Sequence, residues 1–339
     1  MSTFVVILGR LLQAVPTLFG IVAVVFLMTR ALPGDPAVFF AGPAATPESI
    51  AEIRAQLGLD QSLATQFVQY LGALASGDLG QSLSTGQPVA DELMRRLPAS
   101  LELTLVALLI SVSIAVPLGV LAAVRQDSWI DQLCRFVVTA GVSLPTFFTG
   151  LLLLYVFYFL LGIAPAPLGR LDILFVPPPH VTGFYLVDGA LAGQWDVVGS
   201  AAAQIALPSV TLALFTLAPL ARMTRAAMLQ ALGSEYIRTA RAAGLSRARV
   251  LFVYAFRNAL LPVVTTLGMV FSFSLGANVL VEKVFSWPGI GSFAIEALVV
   301  SDYAAVQGFV LSMAVLFVLL NLCVDLLYTL IDPRVRLDA

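Results

Sequence analysis

RMTRAAMLQALGSEYIRTARAAGLSRARVLFVYAFR, residues 222–257, carries seven arginines against one acid, Glu235, and lies between two long apolar runs. In a chain of mean hydropathy +0.96, such a basic loop marks the cytoplasmic face of a membrane protein, because Lys and Arg are retained on that side. Ser234 is placed to cap a short helix, Glu235 complements the helix's positive end, and Gly244 ends it ten residues after the cap. Tyr236, Thr239, Ala240 and Ala243 form one face of that helix, small apart from the tyrosine. A second helical run is expected over about residues 246–258. Two helices hinged at a glycine, held just outside the bilayer, make a knob that another protein can grip.

The rest of the chain fits that setting. Of 339 residues, 59% are hydrophobic and 11% charged, whereas a soluble domain is about 25% charged. Crossing the hydrocarbon core takes about 20 apolar residues per helix. Six stretches qualify, at about 9–30, 100–124, 133–163, 201–221, 259–281 and 304–330. The third and sixth are long, and Pro145 offers a bend in the third. With the N-terminus inside, the inner segments hold 12 of the 18 basic residues and 5 of the 20 acids. The reverse orientation would leave a net +7 outside, so both termini are expected in the cytoplasm. The apolar stretch from Leu11 to Thr29 exceeds a signal-peptide core and has no small-residue cleavage site after it, so it reads as an uncleaved first span.

Two outer segments are too long to be turns. The first, 32–98, has Thr46 as a cap, Pro47 at the first helical position and then ESIAEIRAQLGL, with Ile50, Ile53 and Leu57 on one face; SLATQFVQYLGALASG follows as a second helix. The second, 164–200, contains Pro165, Pro167 and the triplet Pro177–Pro179, and reads as an ordered loop without a helix. Three parts result: 1–31, an inner end and first span; 32–98, a structured outer segment; and 99–339, a five-helix core that includes the loop 222–258. Cys134 and Cys323 read as packing residues.

The reactive inventory is small. One lysine, Lys283, follows Glu282 in VEKVF, so no Walker A phosphate loop exists. One histidine, His180 in PPPH, excludes a two-histidine zinc site and reads as an exposed loop residue. Asp325 is the ionisable residue clearly within a span, about two turns from the inner end, where a structural ion pair outweighs a proton or substrate role. Prolines at 16, 117, 145, 208, 219 and 262 can bend the spans around a cavity. Ser143, Thr146, Thr149, Ser272, Ser274 and Asn278 could line it, although helix packing through such residues is the commoner use.

EYIRTARAAGLSRARVLFVYAFRNALLPVVT resembles the cytoplasmic EAA loop of binding-protein-dependent ABC importer permeases of the dipeptide and oligopeptide branch. LPGDPA (32–37), GDLGQSLSTGQPV (77–89), RLPASLELTL (96–105), SLPTFFTGLLLL (143–154), VFSWPGIG (284–291) and NLCVDLLYTLIDPRVR (321–336) are similar to stretches of that branch, so the resemblance runs over nearly the whole chain. Arg238, Thr239 and Ala240 stand where the general motif has Glu, Ala, Ala. The resemblance implies an all-α integral membrane protein with six transmembrane helices and a type I permease core, as in methionine- and maltose-type importers. It implies a homologous second permease, two ATPase subunits that hold ATP and Mg, an outer solute-binding protein, a peptide substrate and a bacterial inner membrane. It also implies no cofactor, metal or catalytic site on this chain, and no nucleic acid. Glu235, Tyr236, Thr239, Ala240, Ala243 and Gly244 are implied to couple it to the ATPases. Oligopeptides, glutathione, nickel complexes and haem are alternative cargoes of that branch. On composition alone a stand-alone channel or ion-coupled carrier stays open, though it would need more ionisable groups in the membrane.

Overall fold

A computed structural model describes residues 3–31, 36–42, 45–56 and 58–331. Every regular element in them is helical, and a lone bridge between Gln81 and Pro88 is the sole β pairing among the described residues. In chain order the helices are α1 (Thr3–Ala31), α2 (Pro36–Ala41), α3 (Pro47–Gln56), α4 (Leu63–Ala75), α5 (Val89–Val124), α6 (Trp129–Ser143) and α7 (Thr146–Leu153). Then follow α8 (Tyr185–Leu191), α9 (Trp195–Leu232), α10 (Glu235–Ala242), α11 (Arg247–Arg249), α12 (Arg257–Val284), α13 (Ile290–Val299) and α14 (Tyr303–Ile331). π-helical turns extend α7 over Leu154–Leu160 and join α11 to α12 over Val250–Phe256.

Five of the described helical stretches are long and apolar enough to cross a bilayer: Leu12–Arg30, Val89–Val124, Trp195–Leu232, Arg247–Val284 and Tyr303–Val324. The expected third span, 133–163, is not one helix. It breaks at Leu144 and Pro145, whose ψ values are 142 and 141. A proline drives the residue before it out of the α region and cannot donate to the preceding turn. The crossing is thus built from α6 and the shorter apolar stretch Thr146–Leu160 in series. Pro16, Pro117, Pro208, Pro219 and Pro262 lie inside unbroken helices.

The chain divides into two compact units, Met1–Ala99 with Pro288–Val318, and Ser100–Trp287 with Leu319–Ala339. In the first unit Val89 and Leu93 of α5 pack with Ile290, Phe293 and Ala297 of α13 and Ala305 of α14. Buried Asp302 accepts hydrogen bonds from the Ser82 hydroxyl (2.7 Å), Ser84 N–H (3.2 Å) and Ala305 N–H (3.1 Å), tying the outer segment to the start of α14. The expected cap is present, Thr46 Oγ1 accepting from Ser49 N–H, and Ser62, for which no cap was expected, also caps its helix by accepting from Thr65 N–H. Ile50 and Ile53 are half-buried, while Leu57 lies outside the described residues. Helix α13 falls in a stretch that carried no helix expectation.

The second unit is organised around α9, 38 residues or about 57 Å long at 1.5 Å per residue. Glycines let neighbouring helices approach it closely. A Cβ on Gly119 of α5 would lie 2.7 Å from Thr224 Cβ and 2.8 Å from the Ala221 carbonyl oxygen. One on Gly141 of α6 would lie 2.9 Å from the Leu214 carbonyl oxygen. Between these contacts Ala115, Ala122, Cys134, Leu217, Leu220 and Ala221 form a buried apolar core. Segment 164–200 contains α8, against the expectation of a helix-free loop. Buried Asp188 of α8 draws in the N–H groups of Val181 (3.2 Å), Thr182 (2.8 Å) and Gly183 (2.8 Å), satisfying backbone that a proline-rich loop would leave open.

Candidate functional site

The basic stretch 222–257 is more helical than a loop. Its first eleven residues continue α9 to Leu232, so the expected fourth span, 201–221, is only part of a longer rod. Gly233 and Ser234 then turn the chain into α10. Ser234 takes the extended N-cap conformation, φ −77 and ψ 152, but its hydroxyl donates back to the Ala231 carbonyl (2.6 Å) and makes no side-chain cap bond. The cap position is as expected and its hydrogen bond is not. At the other end Gly244 has φ +76, a conformation that L side chains rarely adopt. Gly244 N–H bonds to the Arg241 carbonyl and Leu245 N–H to that of Ala240, the paired bonds of a Schellman stop.

The faces of α10 divide differently from the expected one. Ile237 and Ala240 are buried, packed with Val120 and Ala123 of α5, Ala227, Met228 and Ala231 of α9, and Val250, Ala255 and Ala259. Ala240 therefore turns into this chain's own core, which corrects its placement on an outward small face. Glu235, Tyr236, Thr239, Ala243 and Gly244 are exposed. Arg238 pairs with Glu235 at 3.2 Å, and both are solvent-facing. The second helical run does not stop at 258: Ser246 caps it, accepting from Arg249 N–H (3.4 Å), and it continues through the π turns into α12. α10 is thus keyed by two buried side chains to three long helices.

Asp131, unremarked in the sequence, fixes the base of this assembly. It lies fully buried in the first turn of α6. Arg225 of α9 donates to both of its oxygens (2.5 and 2.8 Å), Arg135 adds a bond of 2.9 Å and Asp127 N–H one of 3.1 Å. The Arg225 guanidinium holds the Asp131 carboxyl well below the usual carboxylate range; burial opposes this, and Arg135 and the Asp127 N–H reinforce it.

The polar residues expected along a path fall into two groups. Ser143 is exposed; Thr146, Thr149 and Ser272 are partly exposed, and Ser143, Thr149 and Ser272 bond to carbonyls one turn back in their own helices. Ser274 and Asn278 are buried. Ser274 donates to the Val270 carbonyl (2.7 Å), and Asn278 Nδ2 donates to the Ser100 carbonyl and Thr104 Oγ1, both at 3.2 Å. In this conformation both are enclosed, Asn278 between α5 and α12. Buried Glu282 joins them, accepting from the Ser100 hydroxyl at 2.5 Å. Buried Glu102, in α5, is held by Arg170 Nη2 (2.6 Å) and Leu186 N–H (2.9 Å). These carboxylates correct the expectation that Asp325 is the ionisable group of the spans. The signal was Glu102 amid apolar residues in SLELTL. The Asp325 backbone is helical, and its side chain lies outside the described residues. His180 is exposed as expected. No group of three or more potential metal ligands occurs among the described residues.

Residues 115–337 match the family described as binding-protein-dependent transport system inner membrane component, and residues 1–104 match its N-terminal companion. The chain belongs to this family. It is an all-α permease component of a binding-protein-dependent importer. It is 45% identical over 316 residues to the probable D,D-dipeptide transport system permease protein DdpB of Escherichia coli, covering 93% of each chain. It is 43% identical to the di/tripeptide transport system permease protein DppB of Pseudomonas aeruginosa, covering 96% of this chain and 97% of that one. With the dipeptide transport system permease protein DppB of Alkalihalophilus pseudofirmus it shares 40% identity over 96% and 98% of the two chains.

Proposed function

We propose that this permease carries dipeptides or short peptides inward across the cytoplasmic membrane by alternating access, driven by ATPase subunits on separate chains. The cargo reading is supported by relatives named for dipeptide and di/tripeptide transport that align over nearly their whole length. The permease pairs with a homologous second permease, receives its substrate from an outer binding protein and keeps both termini in the cytoplasm. ATP and Mg reside on two partner ATPases.

The observation that carries the coupling reading is the anchoring of α10 by Ile237 and Ala240 to α5, α9 and the start of α12. An ATPase that grips the exposed face, Glu235, Tyr236, Thr239, Ala243 and Gly244, pulls on α10. Two buried side chains then pass the displacement to the long helices, because packed interiors shift between discrete arrangements instead of deforming smoothly. Gly244 aims α10 by ending it in a conformation that a side chain would oppose. Ala240 contributes from the inside, so an Ala240→Glu change would unseat α10 from its own chain and not report on docking alone.

The test is purification of the tagged chain from its native membrane in mild detergent, with identification of the accompanying proteins. The expected companions are a second permease and two P-loop ATPases, with the ATPases lost in Ala243→Glu and retained in Arg249→Gln. A chain recovered alone, transporting in vesicles without ATP, would replace this reading with a self-sufficient carrier.

A further inference from the structure

The residues Val250–Phe256 that join α11 to α12 are π-helical. π turns bond five residues back where α turns bond four, and they recur at functional sites. Here the extra residue decides which face is buried. Ala255 and Ala259, four apart, are buried in the cluster that holds Ile237 and Ala240 of α10, and Val250, five residues before Ala255, is buried with them. In an α-helix five residues leave a side chain about 140° off the starting face, whereas four return it to within about 40°. The residue four before Ala255 is Leu251. The π register thus seats Val250 on the buried face and leaves Leu251 half-buried, with Phe252 and Val253 61% and 51% exposed. The sequence suits either register. Residues 250–253 read VLFV, so a slip that brings Leu251 to the place of Val250 and Phe252 to that of Leu251 exchanges apolar for apolar. Where π bonding gives way to α bonding, two carbonyls converge on one N–H and the backbone supply of donors falls short. At that junction Asn258 Nδ2 donates to the Tyr254 carbonyl at 2.6 Å. The other π stretch, Leu154–Leu160, buries none of its residues and has no such alignment to set.

We infer that Val250–Phe256 is a register switch between α10 and α12, π-helical in this conformation and α-helical in another, with Asn258 as the latch on the π form. Passing to the α form takes up the extra residue. The chain before the segment then turns by about 100° around the α12 axis and moves about 1.5 Å along it. Leu251 takes the buried place, Phe252 becomes partly covered and Val250 turns outward. The helix does not have to break, because each form bonds its backbone along its own length. Two discrete packings of one segment are the kind of element through which a small displacement becomes a large one. The use of this turn by α10 to pass on an ATPase stroke rests on the coupling reading above; the existence of two registers does not.

The test uses the purified importer with Cys134→Ala and Cys323→Ala, given one new thiol at a time, Val250→Cys or Phe252→Cys, and follows labelling by N-ethylmaleimide as intact mass. Without nucleotide Phe252→Cys should label and Val250→Cys should be protected. Asn258→Leu removes the amide donor at similar size. It should raise the Val250→Cys rate about twofold to tenfold, the factor for one hydrogen bond, and lower that of Phe252→Cys. ATP with vanadate should move the two rates in the same opposite directions when Asn258 is intact. Deleting Val253 removes the extra residue and keeps Val250 in phase with Ala255 in an unbroken α-helix. Val250→Cys should then stay protected in ATP, and ATP-driven transport should fall. Rates that rise together, or that neither Asn258→Leu nor ATP moves, would overturn the switch. Opposite shifts in Asn258→Leu with none in ATP would keep the switch and overturn its use by the ATPases.

Discussion

Arg225 of α9 and Asp131 of α6 meet as a fork on a carboxylate, Nε to Oδ1 at 2.5 Å and Nη2 to Oδ2 at 2.8 Å. The contact joins helices whose residues stand 94 positions apart. Seven residues beyond Arg225, α9 ends and turns into α10, so the ion pair anchors the rod that leads into α10. Replacing Arg225 with Gln leaves a buried carboxylate short of its main partner. The cost should be about 2–4 kcal/mol, toward the low side for a broken buried pair because Arg225 is partly exposed. Thermal unfolding in detergent should show a clear fall in Tm, and an unchanged Tm would remove the pair's structural importance.

The same pair predicts a pH dependence. The folded-state value of Asp131 lies below that of an unfolded aspartate, about 3.9. Its contribution is therefore fully present above about pH 4 and is lost as pH falls through the folded value. Between pH 5 and 8 the gap in stability between wild type and Arg225→Gln should stay constant; below pH 4 it should narrow. A gap that narrows already at pH 6 would point to another group.

Close glycine contacts and open glycines should respond with opposite signs. Gly119→Ala puts a methyl 2.8 Å from a backbone oxygen of α9 that cannot swing aside. It should destabilise by about 1–3 kcal/mol, the usual cost of overpacking. Gly199, inside α9, has nothing within 4 Å of its missing Cβ. Gly199→Ala should stabilise by up to about 1 kcal/mol through helix propensity. Fluorescence-detected thermal melts of both variants test the contrast.

Gly244 separates conformation from space. Its φ is +76, yet an added Cβ would touch nothing within 4 Å. Gly244→Ala should cost about 1–2 kcal/mol from backbone strain alone, whereas Gly244→Asn, which tolerates the left-handed region, should cost less. Gly244→Trp adds bulk on the face proposed to meet the ATPases, so transport and stimulated ATP hydrolysis should both fail while insertion is retained. Normal ATPase stimulation in that variant would contradict docking at this face.

Arg170 and Glu102 offer a test within the second unit. Their contact is 2.6 Å with both side chains more than nine-tenths buried, and Arg170 also stacks 3.5 Å from the Tyr185 ring centroid. Arg170→Ala should destabilise by about 3–5 kcal/mol, and Arg170→Met with Glu102→Leu should recover most of that loss. A double variant as unstable as the single one would show that the ring contact and the Gly183 bond dominate.

Much of this protein follows from local chemistry and was readable in order along the chain. The apolar spans, the basic stretch 222–257, the cap at Thr46 and the stop at Gly244 each depend on a few neighbouring residues, through hydrocarbon thickness, hydrogen-bond supply or φ preference. The limits of local reading appear where partners are distant. Pro145 breaks its span while Pro208 and Pro219 leave α9 whole. All three lack an N–H, and only the packing around each decides whether the helix can absorb the loss. Ala240 looks interchangeable with Ala243 on a helical wheel. Residues from α5 and α9 bury the one and leave the other exposed. Asp131 and Arg225 carry no sequence pattern linking them, because an ion pair across 94 residues exists only once α6 lies against α9. Hydropathy and turn chemistry act over one or two turns of helix and so were written in the sequence, whereas burial is a property of the neighbours that folding brings together.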